Sequence, residues 1–144
     1  GQHLDTGVKV VHAAPNTYSN VSSKSISKSG GISNFRSAIR VAKNAYGCKS
    51  SVSCESLMLD DQSRSDTIPV IDIQNDSVDI GHEAKIGRIS DQAIFYLMSR
   101  GMKEEDAKAY IVSGFANPIA KELPLEYAVE MNNLISLEMQ GTIG

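Results

Sequence analysis

The sequence predicts a mainly β chain with a helical appendage: strands over residues 1–89 and three short helices over residues 90–144. Three observations predict it. Sixteen serines lie in residues 1–90 and only three in the last 54, and serine favours turns and strands over helix interiors. Charge divides at the same place, with ten basic and nine acidic residues before residue 90 and four and eight from there on. Segments rich in β-branched residues fill the first part, whereas apolar residues at helical spacing fill the second.

The expected strands, in order, are Val8–Val11, Tyr18–Ile26, Phe35–Val41, Val52–Leu59, Ile68–Ile73 and Val78–Ile86. Gly30-Gly31, Asn44 to Gly47, Asp60-Asp61 and Asn75-Asp76 separate them as turns. Phe35, Ile39 and Val41 share a parity that sends them to one face of a strand. Pro69 belongs near a strand start or where no ladder bond is needed. Strands at this spacing suit a sandwich, but two-residue Asn-Gly or Asp-Gly hairpins are missing. Long polar strands joined by broad turns suit a parallel solenoid, although no fixed repeat is visible. Periodicity leaves the two level.

The first expected helix has Ser90 as N-cap, Ala93, Ile94, Leu97 and Met98 as its stripe, and Gly101 as its stop. The second starts near Lys103, with Glu104, Glu105 and Asp106 favourable at its positive end. Its stripe is Ala107, Tyr110, Ile111, Gly114 and Phe115, interrupted by Asn117-Pro118. Pro124 opens a third helix running to about Gln140 and closed by Gly141. Leu125, Ala128, Met131, Ile135 and Met139 form its apolar face.

A net charge of -3 gives no electrostatic footprint for nucleic acid and no polybasic membrane patch. No apolar run approaches the ~20 residues that span a bilayer. Two cysteines six residues apart are no disulfide scaffold, and a reducing compartment is expected. The opening Gly1-Gln2-His3-Leu4-Asp5 has neither Met nor turn signal and reads as a piece of a longer chain.

No phosphate-binding glycine loop, nucleophile elbow, Cys-x-x-Cys or two-histidine zinc motif is present. The polar candidates are Cys48, Cys54, three histidines and scattered carboxylates. Cys54, between Ser53 and Glu55, is expected to point inward, where a buried thiol is ordinarily an inert small hydrophobe. Cys48 has the same parity but stands beside Lys49 at a strand start, where exposure is expected. On a straight strand the two thiols lie roughly 20 Å apart, too far for a disulfide. His82 and Glu83 are adjacent, so strand alternation sends them to opposite faces unless Gly81 makes a turn. Together Cys54, His82 and Glu83 offer a thiolate, an imidazole and a carboxylate, a set that suits iron. Their spacing fits neighbouring rungs of a solenoid. His3 and His12 are weaker candidates, and Asp60-Asp61, Asp72, Asp76 and Asp79 are expected to solvate turns.

At these residues the chain resembles the SufB family, the scaffold subunits of SUF iron–sulfur cluster assembly, over its C-terminal third. The resemblance is carried by Gly1-Gln2-His3-Leu4-Asp5-Thr6-Gly7, His12-Ala13-Ala14-Pro15-Asn16-Thr17, Cys54-Glu55-Ser56-Leu57-Met58 and His82-Glu83-Ala84. The helical part adds Ile89 to Tyr96, Ser99-Arg100-Gly101, Ile111 to Phe115 and Lys121 to Glu126. The related SufD shares the His-x-Ala and Phe-Tyr-Leu-x-Ser-Arg-Gly regions, whereas Cys54, Glu83 and Lys121 to Glu126 look like SufB.

The resemblance implies a right-handed parallel β-helix over residues 1–89 and a small helical domain over 90–144. It implies a cytoplasmic scaffold, or one in a plastid stroma or related organelle, and no enzyme of its own. SufD would pair through the β-helix and a SufC ATPase would dock on the helices. A cysteine desulfurase with a SufE or SufU carrier would supply sulfur. A transient iron–sulfur cluster would form near the SufB–SufD interface, with reduced flavin in the full complex. Cys54 matches the family's interface cysteine, and His82 and Glu83 its cluster-ligand region. Gly81 stands where a further acidic ligand would fall, and Cys48 receives no role. A SufD-like partner without cluster ligands is one alternative. A solenoid carbohydrate-active enzyme using Asp60, Asp61 and Asp72 is another. Open strand edges at the N-terminal face predict self-association of the isolated piece.

Overall fold

Six strands alternate between two sheets, and every pairing is parallel. β1 (His3–His12), β3 (Ile32–Val41) and β5 (Arg64–Ile73) form one sheet. β2 (Tyr18–Ser27), β4 (Cys48–Met58) and β6 (Val78–Arg88) form the other. The chain crosses from sheet to sheet and returns one rung higher, the path of a parallel β-helix with two strands per coil. This computed structural model describes residues 1–139, with one compact unit over residues 1–88 and a second from Ile89 onward.

The register explains why no repeat shows in the sequence. His3 stands opposite Ile32, Tyr18 opposite Lys49, Ile32 opposite Arg64 and Cys48 opposite Val78. The coil length therefore varies between 29 and 32 residues, and a fixed period does not exist to be found. Parallel strands joined across two sheets also need arcs, not two-residue hairpins. The strands start earlier than β-branching predicts: β1 at His3, β3 at Ile32, β4 at Cys48 and β5 at Arg64. Ladder bonds from the neighbouring coil hold polar residues such as Asp5, Ser65 and Asp66 extended regardless of propensity.

Between the sheets, Ile39, Val41, Ala45, Cys48, Val52 and Cys54 make one buried cluster. Cys48 is fully enclosed, which corrects the exposure expected beside Lys49. The interior is also lined with hydroxyls. Ser25 donates to Ser56 at 2.8 Å, and Ser65 donates to the same oxygen at 2.8 Å, so stacked serines satisfy one another inside the coils.

Stacked turns tie the coils together. Asp60 accepts from the N–H groups of Gln62 and Ser63 in its own turn, and from Ser29 in the turn of the preceding coil. At the other corner, Asn16 N–H donates to Tyr46 O at 2.8 Å and Gly47 N–H to Ser77 O at 2.6 Å. Gly47 has φ +67°, and a Cβ there would collide with Asn16 Oδ1, so the turn requires glycine.

In the second unit, α1 (Asp91–Ser99) begins at Ser90, whose side chain accepts from Ala93 N–H at 3.2 Å, and stops at Gly101, φ +96°. α2 (Glu104–Ala120) buries Ala107, Val112, Ala116 and Ala120. Tyr110 and Gly114 face outward, so the buried stripe is rotated from the predicted one. The helix also runs through Asn117-Pro118 for another turn. Proline deprives the carbonyl four residues earlier of its partner; that residue is Gly114, which is exposed, and the helix ends two residues later. α3 (Leu125–Met139) half-buries Ala128, Met131, Ile135 and Met139 as predicted, while Leu125 is exposed. The predicted end at Gln140 and Gly141 lies outside the described residues. α2 packs against both α1 and α3. Among the described residues no helix is long and apolar enough to cross a membrane.

Candidate metal-binding pair and its surroundings

Strand alternation decides which candidate side chains meet. In β4 the even-numbered residues Cys48, Ser50, Val52 and Cys54 point into the coil. β6 stacks on β4 with Val52 opposite His82, Ser53 opposite Glu83 and Cys54 opposite Ala84. His82 is therefore an inward residue one rung above and two residues before the partner of Cys54, a diagonal neighbour within side-chain reach. Cys54 Sγ lies 3.7 Å from His82 Nε2, hydrogen-bonding distance for sulfur. The thiol is buried and the imidazole half-buried.

Glu83 goes to the other face. Gly81 lies within β6 and makes no turn, so the carboxylate points outward with Lys85, whose amine stands 2.9 Å away. Hydrogen bonding and charge from Glu83 raise the Lys85 amine above its usual value; desolvation opposes this, and the Glu55 charge adds to it. Glu55 also holds Lys24 at 2.7 Å, so one ladder of alternating charge crosses the outer face of β2, β4 and β6. Among the described residues no three His, Cys, Asp or Glu side chains converge on a point that could hold a metal. The predicted trio thus divides into an inner pair and an outer carboxylate.

A thiolate with an imidazole suits iron and other borderline metals, and two donors leave the rest of a four-ligand shell to other groups.

His12, a weaker candidate by sequence, is the centre of a second buried polar cluster. His12 Nδ1 lies 2.7 Å from Thr17 Oγ1 and Nε2 lies 3.0 Å from Ser19 Oγ. Thr17 Oγ1 is also 3.1 Å from Cys48 Sγ, and Ser19 donates to Ser50 at 2.8 Å. The available signal was Thr17 and Ser19 just across the turn from His12: a buried imidazole needs such partners. His3 instead lies on the exposed face, 3.0 Å from Asn34 Nδ2.

The carboxylates of the carbohydrate reading are engaged elsewhere. Asp60 holds the turn, Asp61 pairs with Arg88 and Asp72 with Arg40. Asp72 also stands eight residues beyond the start of β5 at Arg64, roughly 26 Å of strand. That is outside the separation of about 5–10 Å that paired glycosidase carboxylates need.

A β-helix with an inward Cys–His pair, followed by a helical unit, defines the class, and comparison agrees. Residues 1–115 match the family model described as SUF system FeS cluster assembly, SufBD core domain, and the chain belongs to the SufBD family. It is 51% identical over 144 residues to the iron–sulfur cluster assembly protein SufB of Bacillus subtilis, covering 100% of this chain and 31% of that protein. It is 52% identical over 143 residues to an iron–sulfur cluster assembly SufBD family protein of Mycobacterium tuberculosis, covering 99% of this chain and 17% of that protein. A SufBD family protein of Staphylococcus epidermidis is 51% identical over 144 residues, 100% of this chain and 31% of the relative. The chain thus spans less than a third of the length of the curated relatives it matches.

Proposed function

We propose that this chain is the part of a scaffold subunit that holds a nascent iron–sulfur cluster, with Cys54 and His82 as its two donors. The 3.7 Å contact between them carries the reading. It joins a soft ligand of the middle coil to a borderline one of the last coil on the inner face, in a chain whose relatives are named for iron–sulfur cluster assembly. The cluster is cargo, and incomplete ligation by one chain suits a site that must release it. A partner of the SufD type, pairing through the β-helix, would supply the remaining ligands. Among the described residues β5 and β6 are each paired on one edge only, which supports that pairing. Sulfur would come from a cysteine desulfurase through a SufE- or SufU-type carrier.

The helical unit takes the second role. Phe95, Tyr96, Tyr110 and Tyr127 are exposed on it, and aromatic side chains are enriched at protein interfaces. A SufC-type ATPase docks there and performs the ATP hydrolysis; the chain itself is no enzyme, and its compartment is the cytoplasm.

The test is anaerobic reconstitution of the full assembly carrying Cys54→Ala or His82→Ala. Each variant should keep its far-UV circular dichroism and lose most of its cluster absorbance. Unchanged cluster yield in both would remove the pair from the mechanism and leave the chain a purely structural partner.

A further inference from the structure

β4 carries a second inward thiol that the reading above leaves unused. Cys48 is 0% exposed, yet its cover is thin: the turn of residues 13–17 lies over it, and Ala13, Ala14, Pro15 and Asn16 are themselves exposed. Thr17 Oγ1 lies 3.1 Å and Ala14 O 3.3 Å from the sulfur. Three backbone bonds tie this turn to the middle coil. Ala42 N–H donates to His12 O at 3.0 Å, Asn16 N–H to Tyr46 O at 2.8 Å and Lys49 N–H to Thr17 O at 3.0 Å.

Beneath the turn the side chains form a chain in which protons can be counted. Ser19 has one hydroxyl proton and gives it to Ser50, so in its 3.0 Å contact with His12 Nε2 it accepts. Nε2 therefore carries the proton of the neutral ring, and Nδ1 is bare. A bare nitrogen in a residue 3% exposed needs a donor, and the Thr17 hydroxyl stands 2.7 Å away to supply it. Thr17 Oγ1 also lies 3.2 Å from Ala14 O, but its single proton serves the shorter contact. Cys48 S–H then donates to Thr17 Oγ1. The chain runs one way, from Cys48 through Thr17, His12 and Ser19 to Ser50, and so crosses from the middle coil to the first and back.

We propose that residues 13–17 are a lid over Cys48, that His12, fixed as its Nε2–H tautomer, latches this lid through Thr17, and that release of the latch presents Cys48 as a gated thiol. His12 is a positioning residue in this device. The device is independent of the function proposed above, since neither Cys54 nor His82 takes part in it.

Two measurements on this chain test it. Long-range proton–nitrogen correlation spectra should show His12 with Nε2 protonated and Nδ1 bare; a proton on Nδ1, alone or together with Nε2, would overturn the latch. Alkylation by iodoacetamide, followed at each cysteine by peptide mass spectrometry, reads the lid, because an enclosed thiol reacts only when its cover opens. Thr17→Val keeps the shape of the side chain and removes its hydroxyl. It should speed alkylation of Cys48 about tenfold, the worth of one buried hydrogen bond, and leave Cys54 unchanged. Thr17→Ser, which retains the hydroxyl, should match the unaltered chain. An unchanged Cys48 rate in Thr17→Val would make the thiol a merely packed apolar group and sink the lid. Equal acceleration of both cysteines would show general loosening and sink it as well. The spectra need no substitution, so the latch can be refuted even where a variant does not fold.

Discussion

The middle and last coils of the β-helix share a backbone path but not an interior. Ile39, Val41 and Val52 of the middle coil are enclosed, while Ile71, Ile73 and Ile86 of the last coil stand open although they also point inward. In a solenoid a residue is buried by the rungs on both sides of it as well as by the opposite sheet. Stability therefore concentrates in the middle coil. The Cys54–His82 pair bridges the two regimes, its thiol in the sealed coil and its imidazole in the open one.

The sharpest way to break this comparison is to truncate equivalent residues. Ile39→Ala should cost about 2–5 kcal/mol in urea denaturation, since its cavity is walled on all sides. Ile71→Ala, directly opposite it in the ladder, should cost under about 1.5 kcal/mol in dilute protein. Equal losses would show that both coils are sealed in solution; a loss at Ile71 that grows with protein concentration would show that a second chain seals the last one.

The stacked corners come next. Gly47→Ala forces a side chain into a positive φ and against Asn16, and should cost about 1–3 kcal/mol, read by the same denaturation midpoint. A neutral outcome would mean that the turns bear no strain and follow the strands passively.

Asp60→Asn should have the smallest effect, about 1 kcal/mol near neutral pH. Burial pushes this carboxyl up, but hydrogen bonds from the Ser63 hydroxyl and the N–H groups of Ser63, Ser29 and Gln62 outweigh it and hold it below the usual aspartate value. A depressed folded-state value means that the stabilisation is complete above the unfolded-state value, near pH 4, and is lost as pH falls through the lower folded value. Stability measured from neutral to acid pH should therefore fall less steeply for the asparagine variant. Parallel curves would remove Asp60 from the acid response.

Much of this was legible in the residues. β-branched runs located all six strands, and Ser90 and Gly101 marked the ends of α1, because these signals act within a few residues. Register was not legible: His82 meets Cys54 only because the coil between Cys54 and Ala84 is 30 residues long, and coil lengths vary. The same alternation that brought His82 inward carried Glu83 out, a consequence the sequence states only once Gly81 is known to be strand. The enclosure of Cys48 is not legible either, because its neighbour Lys49 says nothing of the Thr17 turn stacked over it. Continuation of the helix past Pro118 is not legible locally, because its lost bond falls on a carbonyl whose exposure no local pattern records.

The contact between Asp60 and Ser29 bears on how such a chain is made. Each finished corner offers the hydrogen-bonding groups on which the following corner closes, and every strand finds its partner about one coil back. A polypeptide leaving the ribosome can thus wind N-terminus first, each lap templated by the one before it, without waiting for the far end of the molecule.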